Sequence, residues 1–347
     1  MTIEQPLPTV SIIVLNYNGK EYLEGCLASI DKVFYPKDKL EVIFVDNGSS
    51  DGSTDCVKST YPWVKVIALK KNCGFTGGNN IGVKYAQGSF IVFLNNDVVV
   101  DKNWLMELVK VAVDNPTSLV TSKSLFFNIP EVVDHAGTKA TFIGRSFSIN
   151  FGRKNDSLEV APKYVIQPYG ASMLIKKTIF EDLGEFDDSY FASLEDTDLG
   201  FKAWMYGYKV IYVPTSIFYH FGGGTGGWGS RITNIMVFHI TKNSYMNIIK
   251  YYNFQHIIQG VMFSLLYYSL ASLLSIKEHR VDSIKPLLQA HIWVIKNVGQ
   301  IMQKRRDIVQ NSRVNNRVLF TPRFFASFSE MLQENAVIQN FYKKYYA

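Results

Sequence analysis

Cysteine is scarce in this sequence, and its spacing excludes a disulfide framework. Three of the 347 residues are cysteines, Cys26, Cys56 and Cys73, an odd number with neither CxxC nor zinc-type spacing. Such usage is typical of a reducing environment. The first ten residues, MTIEQPLPTV, also lack the basic and apolar regions of a secretory signal. We therefore expect a cytoplasmic protein.

Charge is absent between residues 251 and 276, a stretch without Asp, Glu, Lys or Arg. Residues 277–347 hold 12 Lys or Arg against 5 Asp or Glu, whereas the preceding 276 residues hold 24 against 25. A helix in the membrane interface, beside anionic lipid, explains this asymmetry better than a membrane span, because polar residues dilute the stretch. The alternative is a helix that packs on the protein or on a second subunit. We therefore expect peripheral contact with the cytosolic membrane face, and a homodimer stays open.

Apolar residues make up 47% of the sequence, and their pattern predicts an α/β fold. Between residues 9 and 122, short β-branched runs alternate with helical stretches. Strands separated by helices of this length indicate βαβ units and a mostly parallel central sheet covered on both faces. After residue 230 the sequence becomes aromatic, helical and basic. We predict an α/β domain over residues 1–230 and a helical region over residues 231–347, which is a membrane-interface or oligomerisation element.

Polar residues follow each of the first four predicted strands, at positions 16–18, 46–50, 72–80 and 95–97. Parallel sheets bind ligands at the carboxyl ends of their strands, so we expect these segments to form one binding site. Asp97 lies just beyond the apolar run FIVFL, after Asn95 and Asn96, and could hold a hard divalent cation together with the phosphates of a ligand. The alternative is an Asx turn, in which these residues only shape the chain.

The segment NCGFTGGNNIG, residues 72–82, is rich in glycine but has neither the GxGxxG nor the GxxxxGK[ST] spacing. It therefore does not predict a dinucleotide site of the Rossmann type. We interpret its glycines as positions at which the backbone approaches a bound nucleotide or a neighbouring strand.

Two adjacent acids, Glu195 and Asp196, begin a helix predicted over about residues 194–206. Acids in a first turn are favoured by the helix dipole, so a capping role is one interpretation. Adjacent carboxylates can also raise a pKa and supply a general base. His220 comes 24 residues after Asp196, at the start of the glycine-rich segment 221–230. A histidine after a strand is usually structural, but here it could complete a metal site with Asp97.

Seven segments, taken in order, resemble those of the family 2 glycosyltransferases of the GT-A fold. They are VSIIVLNYNG, VDNGSSDGS, NCGFTGGNNIG, FLNNDVVV, YGASMLI, EDTDLGFKAW and YHFGGGT. The branch that they resemble most contains rhamnosyltransferases and galactofuranosyltransferases. This resemblance implies an inverting enzyme that moves a hexosyl or rhamnosyl group from a UDP-, dTDP- or GDP-sugar to a hydroxyl group. It also implies a glycan or lipid-linked glycan acceptor and a requirement for Mg²⁺ or Mn²⁺.

The resemblance further implies roles for single residues. Asp196 matches the catalytic base, with Glu195 beside it. Residues 95–97 stand where the family has its DxD motif, and because Asn95 replaces the first acid, the metal ligands would be Asp97 and His220. Asp46 would hold the base or ribose, and Lys242 would help to neutralise the departing diphosphate. The donor-binding positions would be Asn16, Tyr17, Asn18, Asp46, Gly78, Asn79, Asn95, Asn96 and Lys242.

Two other functions stay open at this point. A nucleotidyltransferase can share a similar nucleotide-binding sheet, but NYNGKEYLEG lacks the glycine-rich loop with Arg or Lys that would hold a triphosphate. A catalytically silent nucleotide- or sugar-binding protein of the same fold is the other alternative. Nucleic-acid binding is not expected, because the basic tail contains no recognised module.

Overall fold

Strands and helices alternate through the first part of the chain, as the hydrophobic pattern predicts. A computed structural model describes residues 6–222, 233–277 and 284–345. Its strands are β1 (Val10–Asn16), β2 (Leu40–Asp46), β3 (Lys65–Ala68), β4 (Phe90–Asn95), β5 (Val98–Val100), β6 (Ser118–Phe126), β7 (Ile129–His135), β8 (Thr138–Ala140), β9 (Ser146–Ser148), β10 (Lys163–Tyr164), β11 (Ser172–Lys176) and β12 (Lys209–His220). Its helices are α1 (Lys20–Asp31), α2 (Ser53–Thr60), α3 (Gly74–Lys84), α4 (Trp104–Asp114), α5 (Lys177–Asp182), α6 (Glu195–Met205), α7 (Asn234–Tyr251), α8 (Phe254–Lys277), α9 (Ile284–Asn311) and α10 (Phe328–Tyr345).

Ten strands form one mixed sheet in the order β10-β12-β6-β11-β4-β1-β2-β3, with β5 paired to β12 and β7 paired to β6. The pairs among β1 to β4 are parallel, as is the pair of β12 and β6. Strands β5, β7, β10 and β11 run antiparallel to their partners. The α/β class is confirmed, and the parallel half is the part that the alternation of strands and helices predicted.

Strands β1, β2 and β4 are largely buried on both faces, so successive side chains of each strand enter two different cores, whereas the edge strand β3 is not buried. On β1, Ile12 and Val14 pack in the core that contains residues of α1 and α4. Between them, Ile13 packs in the core that contains residues of α3. The strand register pairs Asn16 with Asp46 and places Asn95 opposite Leu15. The polar strand ends therefore meet at one edge of the sheet.

The sequence predicts a helix over NNIGVKYAQ, residues 79–87, after a glycine-rich loop, but the observed helix α3 already begins at Gly74. A Cβ on Gly78 would lie 2.4 Å from Leu15 Cδ1, and a Cβ on Gly82 would lie 2.7 Å from Ile13 Cγ2. A Cβ on Gly74, where φ is +76°, would lie 2.4 Å from the carbonyl oxygen of Phe191. The glycines thus allow α3 to lie close to β1 and to the chain around residue 191.

The sequence pattern predicts irregular strands and loops over residues 123–170, and the structure has four short strands and the end of β6 there. Strand β7 pairs with β6, and β8 and β9 form a separate two-stranded sheet. The sequence also predicts a strand over KVIYV, residues 209–213, and the observed β12 is longer and ends at His220, which pairs with Val98 and Phe126. The predicted glycine-rich segment lies outside the described residues apart from Phe221 and Gly222.

The C-terminal region is helical, as predicted. Every residue of α7 from Thr241 to Tyr251 is buried, and several of them share a core with α6. Helix α8 is exposed over most of its surface. Among the described residues, no helix combines the length and the apolarity that crossing a membrane requires. The expected boundary at residues 230 and 231 lies outside the described residues and stays a prediction.

Lys250 joins α7 to the rest of the fold through a buried ion pair. Its ammonium group lies 2.9 Å from Asp187 Oδ2 and also contacts the Asp198 carboxylate, and the side chains of Lys250 and Asp198 are each 1% exposed. Replacing Lys250 with Met would leave these buried carboxylates short of positive charge. We expect a loss of about 3 to 5 kcal/mol in the free energy of unfolding, as when a buried pair is broken from one side.

Urea denaturation measures this effect, and the chain provides a matched control. Lys37 pairs with Asp31 at 2.9 Å, but both side chains are more than half exposed. Exposed pairs contribute about 0 to 1 kcal/mol, so Lys37→Met is expected to change stability little. Equal effects of the two substitutions would show that the Lys250 pair is not a structural link.

Candidate active site

The polar strand ends form a connected hydrogen-bond network at the edge of the sheet. The Asn16 amide nitrogen, at the end of β1, donates to Asp46 Oδ1 at 3.2 Å and to the Ser49 hydroxyl at 3.1 Å. Its amide oxygen accepts a hydrogen bond from the Asn96 side chain at 2.6 Å. Asp46 also accepts one from the Thr54 hydroxyl at 2.8 Å. Asn16 therefore links the second and fourth strand ends from its place between them.

The turns beside this network are held by further polar contacts. Asn18 has a φ of 52°, a left-handed conformation that asparagine tolerates. Its side-chain oxygen accepts a hydrogen bond from the Ser50 backbone amide at 2.8 Å, and its backbone amide donates to the Ser49 hydroxyl at 2.9 Å. Tyr17 is 37% exposed. An aromatic ring and several amides thus border the edge at which Asp46 lies.

A buried histidine lies between two carboxylates at the next part of the edge. His220 Nε2 is 3.3 Å from Asp97 Oδ2, and His220 Nδ1 is 3.0 Å from Asp134 Oδ2. The pairing of β12 with β5 brings His220 to Asp97, and the pairing of β7 with β6 brings Asp134 to the same place. Burial alone would lower the pKa of His220, but the Asp97 and Asp134 carboxylates raise it to about 10.

The acid pair lies on the first turn of α6. Asp196 Oδ2 accepts a hydrogen bond from the Gly170 amide at 3.2 Å, and its Oδ1 accepts one from the Thr197 amide at 2.7 Å. Asp196 is partly open to solvent, whereas Glu195 is buried. Glu195 Oε2 has no hydrogen-bond partner among the described residues. The helix N-terminus favours negative charge at both positions, and only Asp196 combines amide donors with access to a ligand.

Two consecutive residues, Tyr169 and Gly170, connect the histidine cluster to the acid pair. The Tyr169 hydroxyl lies 3.3 Å from Asp134 Oδ2 and 3.2 Å from His220 Nδ1. The Gly170 amide donates to Asp196, as described above. A Cβ on Gly170 would lie 3.5 Å from Asp196 Oδ2. The Asp97 and Asp196 charges also contribute to a pKa of Tyr169 well above its usual range, after the larger effect of burial. Tyr169 and Gly170 therefore lie between the histidine cluster and the acid pair.

Burial and the neighbouring charge change the proton affinity of the acid pair. Burial, followed by the charge of Asp196, raises the pKa of Glu195 to about 8. Burial also raises the pKa of Asp196, while hydrogen bonds from the Gly170 and Thr197 amides act in the opposite direction. The pair therefore holds a proton at neutral pH, and Glu195 is the member that burial disfavours most as an anion.

The raised pKa of Glu195 predicts a pH-dependent stability. In the unfolded chain this carboxyl loses its proton near its ordinary pKa of 4.5, whereas in the folded protein it keeps the proton up to a pH of about 8. Its contribution to stability is therefore complete below pH 4.5 and is lost as the pH rises to 8. We expect Glu195→Gln to remove this loss, so that stability varies less between pH 5 and pH 8. Parallel pH profiles of the variant and the parent, measured by urea unfolding, would contradict the assignment, and Glu159→Gln is the exposed control.

The segment before the acid pair has an unusual backbone that α7 supports. Phe191, Ser193 and Leu194 all have φ between 64° and 69°, and each such conformation costs of order 1–3 kcal/mol. The Asn243 side-chain nitrogen, buried on α7, lies 2.6 to 3.1 Å from three carbonyl oxygens of residues 190–193, and its two N–H groups donate hydrogen bonds to this set. This clamp sets the direction in which the chain enters α6 and its acids.

Four of the predicted donor-binding residues have contacts that explain them structurally. Gly78 faces Leu15, and Asn79 donates to the Phe75 carbonyl one turn earlier at 3.0 Å. The backbone amide of Asn95, at the end of β4, donates to the carbonyl oxygen of the residue before β11. The Lys242 ammonium group donates to the Ser189 carbonyl and lies 4.8 Å from the Trp293 ring centre, and burial lowers its pKa to about 8. Donor binding by these residues stays a prediction.

The Asp97 and His220 side chains fit a divalent cation that shares its coordination with a ligand. Asp134 holds Nδ1, which leaves Nε2 directed at Asp97, the arrangement that a metal-binding histidine needs. Among the described residues, no three His, Cys, Asp or Glu side chains form a metal-binding group. Phosphate and water oxygens would therefore complete the coordination of Mg²⁺ or Mn²⁺. Because the raised pKa of His220 must be overcome, metal affinity is expected to rise with pH.

Sequence reasoning missed four residues that hold the site together, namely Asp134, Tyr169, Gly170 and Asn243. Asp134 follows two valines in VVDH, within a segment that the pattern did not resolve into strands. Tyr169 and Gly170 begin the segment YGASMLIKK, which the sequence predicts as a strand without indicating a role for either residue, and the observed strand β11 begins at Ser172. Their polar groups contact residues that are distant in sequence and that strand pairing brings close. These contacts can therefore be recognised only in the folded structure.

Comparison with known sequences places the chain among glycosyltransferases. The sequence model described as "Glycosyl transferase family 2" matches residues 11–184, which is half of the chain. Two relatives from Haloferax volcanii, glycosyltransferase AglE and the low-salt glycan biosynthesis hexosyltransferase Agl10, are each 25% identical to it, over 187 and 202 residues. These matches cover 52% and 57% of this chain and 56% and 62% of the relatives. The chain thus spans little more than half the length of these relatives.

Comparison with solved structures shows a likeness of fold. A mannosyltransferase from Pyrobaculum calidifontis, solved with GDP-Man and Mn²⁺, is 18% identical with a TM-score of 0.54 over 89% of this chain and 90% of its own. GalNAc-T7, solved with UDP, GalNAc and Mn²⁺, is 19% identical with a TM-score of 0.59 over 72% of this chain and 49% of its own. At this identity the likeness establishes the fold alone, which is GT-A. From the sequence match and the fold together, the chain belongs to glycosyl transferase family 2.

Proposed function

We propose that this chain is an inverting glycosyltransferase that uses a nucleotide-sugar donor, a divalent metal ion and Asp196 as general base. The observation that carries this proposal is the link through Tyr169 and Gly170. It supports the proposal that the pair Asp97 and His220, which could hold a metal ion, shares one site with the partly exposed carboxylate of Asp196. Such a transfer needs both a charged group for the leaving diphosphate and a base for the incoming hydroxyl.

The donor is proposed to lie along the carboxyl edge of β1, β2 and β4. Asp46 and Asn16 offer a carboxylate and amides to a base or ribose, and Tyr17 offers an exposed ring beside them. The donor diphosphate would extend from there towards Asp97 and His220. The two solved structures compared above contain UDP or GDP-Man together with Mn²⁺, which supports a nucleoside diphosphate donor and a divalent metal here.

In the proposed reaction one proton is transferred, one bond to the anomeric carbon forms and another breaks. Asp196 accepts the proton of an acceptor hydroxyl, whose oxygen then bonds to the anomeric carbon of the sugar as the bond from that carbon to the diphosphate breaks. Attack opposite the leaving group inverts the anomeric configuration. When bound, a divalent ion supplies positive charge that stabilises the leaving diphosphate. Asp97 and His220 would hold that ion, and the Gly170 and Thr197 amides orient the base.

The group transferred is proposed to be a hexosyl or rhamnosyl unit, and the acceptor a hydroxyl of a glycan or lipid-linked glycan. One of the relatives is described as a hexosyltransferase of glycan biosynthesis, which supports a sugar chain as acceptor class. The chain would then extend glycans, including the polysaccharides of a cell envelope.

A donor panel tests the proposed function directly. UDP-, dTDP- and GDP-sugars would be supplied with Mn²⁺ and with soluble or lipid-linked glycans, and release of nucleoside diphosphate would be measured. We expect turnover with one nucleotide class, and a product whose anomeric proton coupling in NMR shows inversion. A product of unchanged configuration would refute the inverting mechanism. Nucleotide binding without any release would favour the silent binding protein.

A further inference from the structure

Helix α8 exposes an unusually large apolar surface. Nine of its large hydrophobic side chains are more than a third exposed, and Phe254, Met262 and Leu273 are each more than 60% exposed. Between residues 254 and 273, the apolar side chains meet no Asp, Glu, Lys or Arg on the same helix. Single exposed hydrophobic residues are ordinary on a protein surface, but a contiguous patch of this size marks an interaction surface.

The width of this surface indicates what covers it. Gly260, Ser264 and Tyr268 form a narrow buried stripe along α8. At about 100° per residue, the exposed apolar positions extend from Phe254 to Tyr267, an arc of about 220° around the helix. We call this surface the α8 apolar arc. A partner helix covers a stripe of about 100°, whereas the boundary between lipid headgroups and acyl chains can cover the whole arc.

The charge of the C-terminal region favours an anionic surface as the partner of the arc. Residues 277–347 carry 12 basic and 5 acidic residues. On the neighbouring helix α9, Lys285 and Lys296 are exposed close in sequence to the exposed Leu288, Ile292 and Ile295. This combination attracts anionic headgroups and repels a second copy of the same basic region. Lipid is therefore favoured over self-association.

α8 is also connected to the part of the site that holds Asp196. The Tyr268 hydroxyl accepts a hydrogen bond from Arg145 Nη2 at 2.7 Å, and Arg145 lies between β8 and β9. The next residue, Ser146, has its hydroxyl 3.4 Å from that of Thr197, which is the neighbour of Asp196. These contacts place α8 on the side of the proposed base rather than at the far edge of the sheet.

We propose that the α8 apolar arc docks this chain on a lipid bilayer with anionic headgroups, and that the acceptor is an amphiphile held in the same bilayer. The helix lies in the interface between headgroups and acyl chains without crossing the membrane. The acceptor part rests on the proposed function, whereas the docking part does not.

Flotation with vesicles tests the docking. The full chain is expected to float with phosphatidylcholine vesicles that contain phosphatidylglycerol, and less with phosphatidylcholine alone. Leu266, 57% exposed, is the substitution site, and Leu266→Glu should lower the bound ratio about tenfold or more, because a buried leucine contributes at least that much. Leu273→Glu, at a position 63% exposed, gives the same readout should the first variant not fold. The control is Val160→Glu, 71% exposed in the catalytic domain, which should bind as the parent does.

Light scattering without vesicles tests whether a second copy of the chain, rather than lipid, covers the α8 apolar arc. A parent dimer that Leu266→Glu converts to a monomer would show that a second copy covers the arc, and would overturn the proposal. Flotation that Leu266→Glu does not change would also overturn it. Nucleotide binding by Leu266→Glu in Mn²⁺, without lipid, should equal that of the parent, so loss of docking is distinguishable from failure of the donor site.

The acceptor part has a separate readout. Leu266→Glu is expected to slow transfer to a glycan on a vesicle-bound lipid carrier by about tenfold, the same factor as the loss of binding, and to leave transfer to a soluble glycan unchanged. Equal effects on the two acceptors, or faster turnover of the soluble one by the parent, would contradict an acceptor that is held in the bilayer.

Discussion

Asp196→Asn is expected to lower the rate of sugar transfer by about 10² to 10⁴ while leaving nucleotide affinity unchanged. The carboxamide keeps the shape of the side chain and can still accept a hydrogen bond of the kind that the Gly170 and Thr197 amides donate. It cannot accept the proton of the acceptor hydroxyl at neutral pH. The loss should therefore appear in kcat, measured as release of nucleoside diphosphate at saturating donor.

Two comparison variants separate this effect from a structural one. Asp156→Asn removes an exposed carboxylate outside the site and should behave as the parent. Glu195→Gln removes the buried neighbour, whose Oε2 has no partner among the described residues, and should reduce transfer less than Asp196→Asn. Transfer by Asp196→Asn within about tenfold of the parent would show that Asp196 is not the base.

Asp97→Ala is expected to abolish the part of nucleotide affinity that depends on metal. Its carboxylate is one of two protein groups that fit the ion, so the loss should exceed the about 10- to 100-fold effect that is typical of a supporting residue. Asp134, which holds His220 Nδ1 at 3.0 Å, is such a supporting residue, and Asp134→Asn should show the smaller effect. Titration of the nucleotide in Mn²⁺ and in EDTA measures both losses.

The control for Asp97→Ala is Asp114→Asn, which removes an exposed carboxylate at the end of α4. This variant should keep full metal-dependent affinity. If Asp97→Ala binds nucleotide in Mn²⁺ as tightly as the parent does, Asp97 lies outside the metal site, and the relation of residues 95–97 to the family motif is one of sequence only.

The sequence was informative wherever function depends on local pattern. Four strands that alternate with helices form the parallel half of the sheet, and parallel pairing places all their carboxyl ends at one edge. Asn16, Asp46 and Asn96 could be grouped from the sequence for this reason, and the same pairing explains why they share hydrogen bonds. The helix that carries Asp196 could be predicted from its own periodicity, whereas the role of Asp196 as a base was implied by the family resemblance and stays a prediction.

The missed residues depend on contacts between distant parts of the chain. Asp134 reaches His220 only because β7 folds back on β6 while β12 runs beside the same strand. Asn243 supports the segment before α6 from a helix that begins some 40 residues later in the chain. Pairings at such separations leave no periodic trace in a single sequence.

The glycine-rich segment shows how packing overrides propensity. Glycine in a helix costs about 1 kcal/mol relative to alanine, so GFTGG favoured a loop. In α3, a Cβ on Gly78 or Gly82 would collide with the side chains of β1. Close contact between helix and strand therefore requires glycine at these positions. Tertiary packing stabilises the helix even though its glycines have low helix propensity.

We propose that the sheet edge and the Asp97 and His220 pair form one metal-dependent nucleotide site. Calorimetric titration of the purified chain with UDP, dTDP and GDP, each in Mn²⁺ and again in EDTA, tests this proposal. We expect one nucleotide class to bind in Mn²⁺ and EDTA to abolish this binding. Binding that EDTA leaves unchanged, or no binding of any nucleotide in Mn²⁺, would contradict it.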